Sequence, residues 1–361
     1  MVWVHSGFLQ FGSGHEEGLR PSGGLASHLN VVFVSFNFRL HAFGYLALEA
    51  LATGLEQDSR GNYGTWDQLL LMEWVQQNIH SFGGDPNKVT AFGPDGGAAS
   101  ILSLMGRNAP FRSAWLLGPA LLSKRTFLDA SQHSGSHFSE KSGCGPDTSC
   151  LRNLSPKEVI SSYIWNDDPT FRIRDQNDLP IQGILPEQLM VVDGEILPFS
   201  PIEAALHKNI KDIPLLIGTS AQAVDFWPGP DDLHSWTWTQ YRKYVTTSLD
   251  SFDPQANGLV RVSNYPGIYS SHLWEAVAFF NQLHRYIEFP SDEDFAFRDT
   301  VQRTVLEFVK TAGNQVKPEE WLTYPSSVAL LNSNITLVTS YHKTKCKFWS
   351  SHGLTDYAWV S

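Results

Sequence analysis

Apolar positions in the first hundred residues follow two rhythms in turn. Val31-Val-Phe-Val-Ser-Phe36 and Lys88-Val-Thr-Ala-Phe-Gly93 are continuous runs with the length and character of buried strands. Between them, Leu69, Leu70, Met72, Trp74, Val75 and Ile79 recur at helical spacing, which predicts a helix over roughly Trp66 to His80 that stops at Gly83-Gly-Asp-Pro86. Met1-Val-Trp-Val-His5 is strand-like, and Ala114-Trp-Leu-Leu117 and Pro214-Leu-Leu-Ile-Gly218 are further strand candidates. Strands alternating with amphipathic helices predict an α/β sheet built from crossover units, not a sandwich or a bundle. From Ser123 to about Pro180 the chain turns polar and irregular, as surface excursions between core elements do. Helical spacing returns at Ser235 to Leu249, Trp274 to His284 and Phe297 to Thr311, and Lys343 to Trp349 predicts a short last helix. Without an internal repeat or a Gly/Ser/Pro-rich linker, residues 1–361 read as one domain.

Composition narrows the picture. With 42% hydrophobic and 17% charged residues the chain can bury a large core. Its 26 basic and 37 acidic residues give a net charge of −11 without basic runs, which argues against a nucleic-acid partner. No apolar stretch reaches the roughly 18 to 20 residues of a membrane helix, so no transmembrane segment is expected. Nothing before Met1-Val-Trp-Val-His5 reads as a signal peptide, and the native start is expected upstream. No metal or cofactor is expected. Of three cysteines, Cys144 and Cys150 enclose five residues in a segment that could close as a small disulfide loop, leaving Cys346 over; three free thiols in a reducing compartment is the alternative. The sequons Asn153-Leu-Ser and Asn334-Ile-Thr lean towards a secretory history.

The chemistry centres on Gly93-Pro-Asp-Gly-Gly97, which follows a strand and precedes the helical run Ala98 to Met105. That is the setting of a nucleophile elbow, a sharp turn that lifts its central side chain above a sheet. The central residue is normally Ser; here it is Asp95.

Other motifs now fall into line: His5-Ser-Gly-Phe-Leu-Gln-Phe-Gly-Ser-Gly14, Asn37-Phe-Arg39, Gly61-Asn-Tyr-Gly64, Asp67-Gln68 and Phe82-Gly-Gly-Asp-Pro-Asn-Lys-Val89. In this order they resemble the type-B carboxylesterase and cholinesterase family. So do Ser142-Gly-Cys144 with Cys150-Leu-Arg152, Val191-Val-Asp-Gly-Glu-Ile-Leu-Pro198, and Cys346-Lys-Phe-Trp349. The resemblance implies an α/β-hydrolase fold, a mostly parallel central sheet with helices on both faces, and ester hydrolysis by a Ser, Glu, His triad. It also implies a disulfide between Cys144 and Cys150, glycosylation at Asn153 and Asn334, and a secreted or cell-surface location.

Carried over position by position, the resemblance puts the nucleophile at Asp95, the acid at Ala223 and the general base at His272, within Ser271-His-Leu-Trp-Glu275. The oxyanion loop falls on Ser6, Gly7 and Phe8, with Gly96 following the nucleophile. Two triad positions are thus replaced, and a benzyl group stands where the family has glycine. Losing a triad nucleophile costs on the order of 10⁶ in turnover, and a carboxylate beside a forming oxyanion repels it. The expected function is a non-catalytic family member, a binding, adhesion or assembly module with a protein partner at a surface, as in neuroligins and the cholinesterase-like domain of thyroglobulin. The alternative is a hydrolase: either a residual carboxylesterase acting on a small-molecule ester, or an enzyme whose Asp95 attacks carbon as in dehalogenases and epoxide hydrolases, with Asp225 replacing the lost acid.

Spacing adds one more expectation. Asp95 to Ala223 spans 128 residues, near the family interval, but Ala223 to His272 spans only 49, far short of it. N-terminal strands and a block before the His loop, including the family partner of Cys346, read as missing. A gene model or splice form that omits exons and a divergent reduced fold are the competing explanations, and the unpaired sheet edges predict poor solubility.

Overall fold

The computed structural model describes residues 1–52, 61–119, 125–163, 190–207, 209–220, 235–240, 243, 273–313, 321–339 and 341–351. The first elements are β1 (Val2–Trp3), α1 (Gly23–Leu29), β2 (Val34–Ser35), α2 (His41–Tyr45), α3 (Glu49–Ala52), α4 (Tyr63–Asn78), β3 (Thr90–Pro94), α5 (Asp95–Met105) and β4 (Ser113–Leu117). Then come α6 (Phe127–Ala130), α7 (Ser136–Lys141), α8 (Thr148–Asn153), α9 (Pro156–Tyr163), α10 (Pro201–Leu206) and β5 (Leu215–Gly218). The last are α11 (Trp274–Phe279), α12 (Leu283–Tyr286), α13 (Asp292–Lys310), β6 (Val328–Leu331), β7 (Ile335–Val338) and α14 (Lys343–Ser351).

Five strands form a parallel sheet in the order β2-β1-β3-β4-β5, as the alternating pattern predicts. Alternation along its strands divides the core between its two faces. Val2, Val4, Ala91, Ala114 and Leu116 pack on one face with α4 and α5. Trp3, Phe92, Trp115 and Leu117 pack on the other with α11 and α13. On this second face Phe92 stacks on Trp115 with ring planes 3° apart, and Trp3 meets Phe280 edge-on at 4.9 Å. Strands buried on both faces need apolar residues at every position, which is why β3 and β4 are legible as continuous runs.

Two expectations need correction, and one element is new. The stretch read as irregular from Ser123 contains α6 to α9, with a single π-turn at Ser131–Gly135 joining α6 to α7. Its helices are short and carried by caps, such as the Thr126/Asp129 capping box and Asp147 on Ser149 and Cys150, rather than by a long apolar stripe. The predicted Trp274–His284 helix is broken into α11 and α12 by Asn281, whose φ is 59°. The antiparallel hairpin of β6 and β7 has no counterpart in the sequence reading. Elsewhere boundaries shift. The Val31–Phe36 run pairs only at Val34 and Ser35, and α13 starts earlier, at a Ser291/Asp294 capping box. Of the predicted Ser235–Leu249 helix, most lies outside the described residues. No helix among the described residues is long and apolar enough to cross a membrane.

Asn62, in the Gly61-Asn-Tyr-Gly64 motif, explains where α4 begins. Fully buried, it is turned away from the helix it precedes. Its Nδ2 donates to Val191 O at 2.7 Å and to Asp193 Oδ2 at 2.8 Å, while its Oδ1 accepts from Val191 N at 3.1 Å. One side chain thus clamps segments 129 residues apart. Asn62→Ala leaves a buried N–H and C=O of Val191 unpaired and is expected to destabilise by about 2–4 kcal/mol. Urea unfolding of the two proteins checks this, and an unchanged midpoint contradicts it.

Candidate active site

β3 passes into α5 without an intervening residue, and at that junction Asp95 has φ 51°, in the left-handed region. The flanking glycines make the turn possible. A Cβ at Gly93 or at Gly97 would stand 2.3 Å from Val4 O, so both positions are pressed against the end of β1. A Cβ at Gly96 would stand 3.0 Å from Leu9 N, so this glycine provides clearance for the loop that follows β1. Asp95 itself is 1% exposed and is the first residue of an eleven-residue helix, where the helix dipole favours a negative charge.

The loop that meets it carries three successive left-handed residues: Gly7 at φ 108°, Phe8 at 54° and Leu9 at 63°. This winding turns two consecutive N–H groups towards the elbow. Gly7 N donates to Asp95 Oδ2 at 3.2 Å and Phe8 N to the same oxygen at 3.0 Å. Gly7 O accepts from Gln10 N and Phe11 N, and Leu9 O accepts from His41 N at 2.8 Å, so the loop is braced on both sides. Two non-glycine residues in this region cost about 1–3 kcal/mol each, an amount that hydrogen bonds to a carboxylate, at about 1.5–3 kcal/mol each, can offset.

Of the residues assigned to the oxyanion loop, Gly7 and Phe8 therefore meet Asp95. The benzyl group of Phe8 does not displace its own N–H from the elbow; its ring lies 6.1 Å from that of Phe11. Ser6 plays a different part. Its carbonyl accepts from His5 Nδ1 at 2.7 Å, which fixes the proton of the neutral ring on Nδ1. His5 is buried and stacked on Phe38 at 4.5 Å, and burial holds its pKa below the ordinary value.

Beneath the elbow, Gln68 Nε2 donates to Ser100 Oγ at 3.2 Å and reaches Tyr45 Oη at 3.4 Å, while Ser100 Oγ donates to Gly96 O at 2.9 Å. Burial pushes the Tyr45 phenol up, so it stays neutral and able to donate. Arg39 grips Asp67 through Nε and Nη2 at 2.8 and 2.7 Å, joining the Asn37-Phe-Arg39 and Asp67-Gln68 motifs. Motifs recognised separately in the sequence thus form one scaffold under α5. His41 was not singled out by sequence. Its apolar surroundings become visible only when α2 packs on α4 and α9, and its left-handed φ of 55° has no sequence signature.

Ala223, Asp225 and His272 lie outside the described residues. Asp95 Oδ1 is buried with no hydrogen-bond partner among those described. Glu275, three positions after His272, is in the first turn of α11, where burial raises its carboxyl pKa. No cluster of three or more His, Cys, Asp or Glu among the described residues could hold a metal ion. Cys144 and Cys150 are joined as a disulfide, and Cys346 is free and exposed. Asn153 ends α8 with its amide donating to Ser149 O, whereas Asn334 is exposed in the turn between β6 and β7.

The carboxylesterase family's sequence profile matches residues 1–232. Cholinesterase 1 of Branchiostoma lanceolatum is 34% identical over 242 residues, covering 63% of this chain and 63% of that protein. Liver carboxylesterase 1 of Oryctolagus cuniculus is 32% identical over 236 residues, covering 62% of this chain and 38% of its own length. Fumonisin B1 esterase of Sphingopyxis macrogoltabida is 30% identical over 284 residues, covering 77% of this chain and 48% of the relative. The chain thus spans less than two thirds of each. Among solved structures, a PNB esterase superposes with a TM-score of 0.74 at 22% identity, covering 96% of this chain and 80% of the other, and this likeness establishes an α/β-hydrolase fold.

His41 makes the site's surroundings sensitive to acid. Burial lowers its pKa to about 4, so the folded state binds fewer protons than the unfolded chain between pH 6.5 and about 4. Its contribution to stability is fully present above pH 6.5 and is lost as pH falls towards 4, by at most about 3 kcal/mol. His5 acts in the same direction. Unfolding free energies measured across this window should fall less steeply for His41→Gln than for the wild type, and identical slopes contradict the assignment.

Proposed function

Since the chain belongs to the carboxylesterase family, we propose that it is a non-hydrolytic member whose elbow carboxylate fills the place of the substrate's oxyanion, leaving a fold that serves as a binding module. The carrying observation is the pair of hydrogen bonds from Gly7 N and Phe8 N to Asp95 Oδ2. In an active esterase such donors wait for charge that develops only in the transition state, and one of them is worth about 10² to 10³ in turnover. Here the Asp95 side chain already holds both. A substrate carbonyl would have to displace that side chain and then develop its own charge beside it. Asp95 also supplies no hydroxyl for a histidine to deprotonate, so acyl transfer loses its nucleophile and its oxyanion donors at one residue.

A secreted or cell-surface setting fits this reading. The Cys144–Cys150 disulfide suits an oxidising compartment, and exposed Asn334 at a hairpin turn suits a glycan acceptor better than Asn153, whose amide is engaged within a helix. The partner of such a module is a protein met at the surface.

One observation favours a second reading. With Oδ2 held by the loop, Oδ1 of Asp95, which has no hydrogen-bond partner among the described residues, is the oxygen that would attack a saturated carbon. The carbon–halogen bond would break, halide would leave, and an ester of Asp95 would form. Water adding to the Asp95 carbonyl carbon, with its oxyanion on Gly7 N and Phe8 N, would release the alcohol and restore the carboxylate with one oxygen from water. That second step needs a base, the part assigned to His272.

Two assays separate the readings. The non-hydrolytic protein is expected to turn over a chromogenic short-chain ester no faster than buffer, and turnover abolished by His272→Ala would overturn the proposal. A single-turnover incubation with an alkyl halide in heavy-oxygen water is expected to leave the Asp95 peptide unlabelled. Incorporation of one heavy oxygen would establish the second reading.

A further inference from the structure

Away from the elbow, α2, α3, α4, α7, α8 and α9 line a half-open pocket of about 410 Å³. Ala42, Leu46, Leu51, Phe138, Leu151 and Val159 give it an apolar lining. Three polar side chains also line it: Arg39, Tyr63 and Arg152. They form one group, because the Arg39 guanidinium lies over the Tyr63 ring at 5.5 Å and both arginines are near enough to act on the Tyr63 phenol.

The two arginines are not equivalent. Arg39 is neutralised by its forked ion pair with Asp67. Arg152, at the end of α8, has no ion-pair or hydrogen-bond partner among the described residues. The backbone of α8 that carries it is tethered two residues earlier, where Cys150 is bonded to Cys144 in the segment that follows α7. The pocket therefore offers a largely apolar volume of the size that holds small ligands, a guanidinium without an ion-pair partner among the described residues, and a phenol beside it. A guanidinium binds a carboxylate through two parallel hydrogen bonds, and the apolar walls take up hydrocarbon.

We propose that this cavity is a binding site for a medium-chain monocarboxylate, with the carboxylate on Arg152 and Tyr63 and the hydrocarbon tail against Leu46, Phe138, Leu151 and Val159. The site is separate from Asp95, and neither hydrolytic activity nor its loss bears on it.

Titration calorimetry with decanoate and with 1-decanol tests the assignment. Wild-type protein should bind decanoate saturably, and Arg152→Gln should weaken that binding by at least about tenfold, the loss of one charge-assisted contact, without changing the response to decanol. Arg152→Glu should abolish decanoate binding. Because Arg152 is exposed, neither substitution threatens folding. Val159→Trp, with its fold confirmed by circular dichroism, should fill the cavity and remove both ligands; if it fails to fold, the two arginine variants still decide the matter. Absence of saturable decanoate binding by the wild type, equal affinity in the arginine variants, or full-strength binding in folded Val159→Trp would each overturn the proposal.

Discussion

One carboxylate oxygen, Asp95 Oδ2, holds the strained turn after β3 and the strained loop after β1 together. Each is unfavourable alone. The loop places Phe8 and Leu9 in left-handed backbone, and the turn does the same to Asp95. Joined, two consecutive loop N–H groups satisfy a buried charge at the start of α5, and that charge fixes the direction in which the N–H groups point. In an active hydrolase the strained loop is held ready for a charge that appears briefly. In this chain the same N–H groups donate to the Asp95 side chain.

The sheet makes that meeting possible. β1 and β3 are neighbours in parallel register, with Val2 opposite Ala91 and Trp3 opposite Phe92, so their C-terminal ends open on the same side. Val4 N donates to Phe92 O, and Gly93 and Gly97 leave no room for a side chain against Val4 O. Packing on the two faces then sets the sheet's position: α4 and α5 through the Gln68, Ser100 and Tyr45 network on one side, and the Trp3, Phe92 and Trp115 rings against α11 and α13 on the other. The ion pair of Arg39 with Asp67 and the clamp of Asn62 on Val191 and Asp193 fasten the segments around this frame.

How much of this was legible depended on whether the signal is local. The runs at Lys88–Gly93 and Ala114–Leu117 reveal strands because a buried parallel strand tolerates few polar residues. Gly93-Pro-Asp-Gly-Gly97 reveals the elbow because only glycine fits where Val4 O approaches. The contact of Gly7 and Phe8 with Asp95 spans 88 and 87 residues, and no spacing in the chain announces it. Sequence shows a benzyl group at Phe8 where the family has glycine, and only the backbone winding shows that the Phe8 N–H still points at the elbow. Helices α6 to α9 are hard to read from sequence because each is only four to eight residues long, too short for an apolar stripe to repeat. The hairpin of β6 and β7 was missed for a related reason, since its half-buried positions lack clean alternation.

Amide hydrogen exchange at Gly7 and Phe8, followed by NMR, tests most directly whether the Asp95 side chain is the resident acceptor of the loop after β1. The prediction is that both amides are strongly protected in the wild type and that both lose protection together in Asp95→Ala, while the amides of β3 keep theirs. Fast exchange at Gly7 and Phe8 in the wild type, or protection that survives removal of the Asp95 side chain, would contradict it.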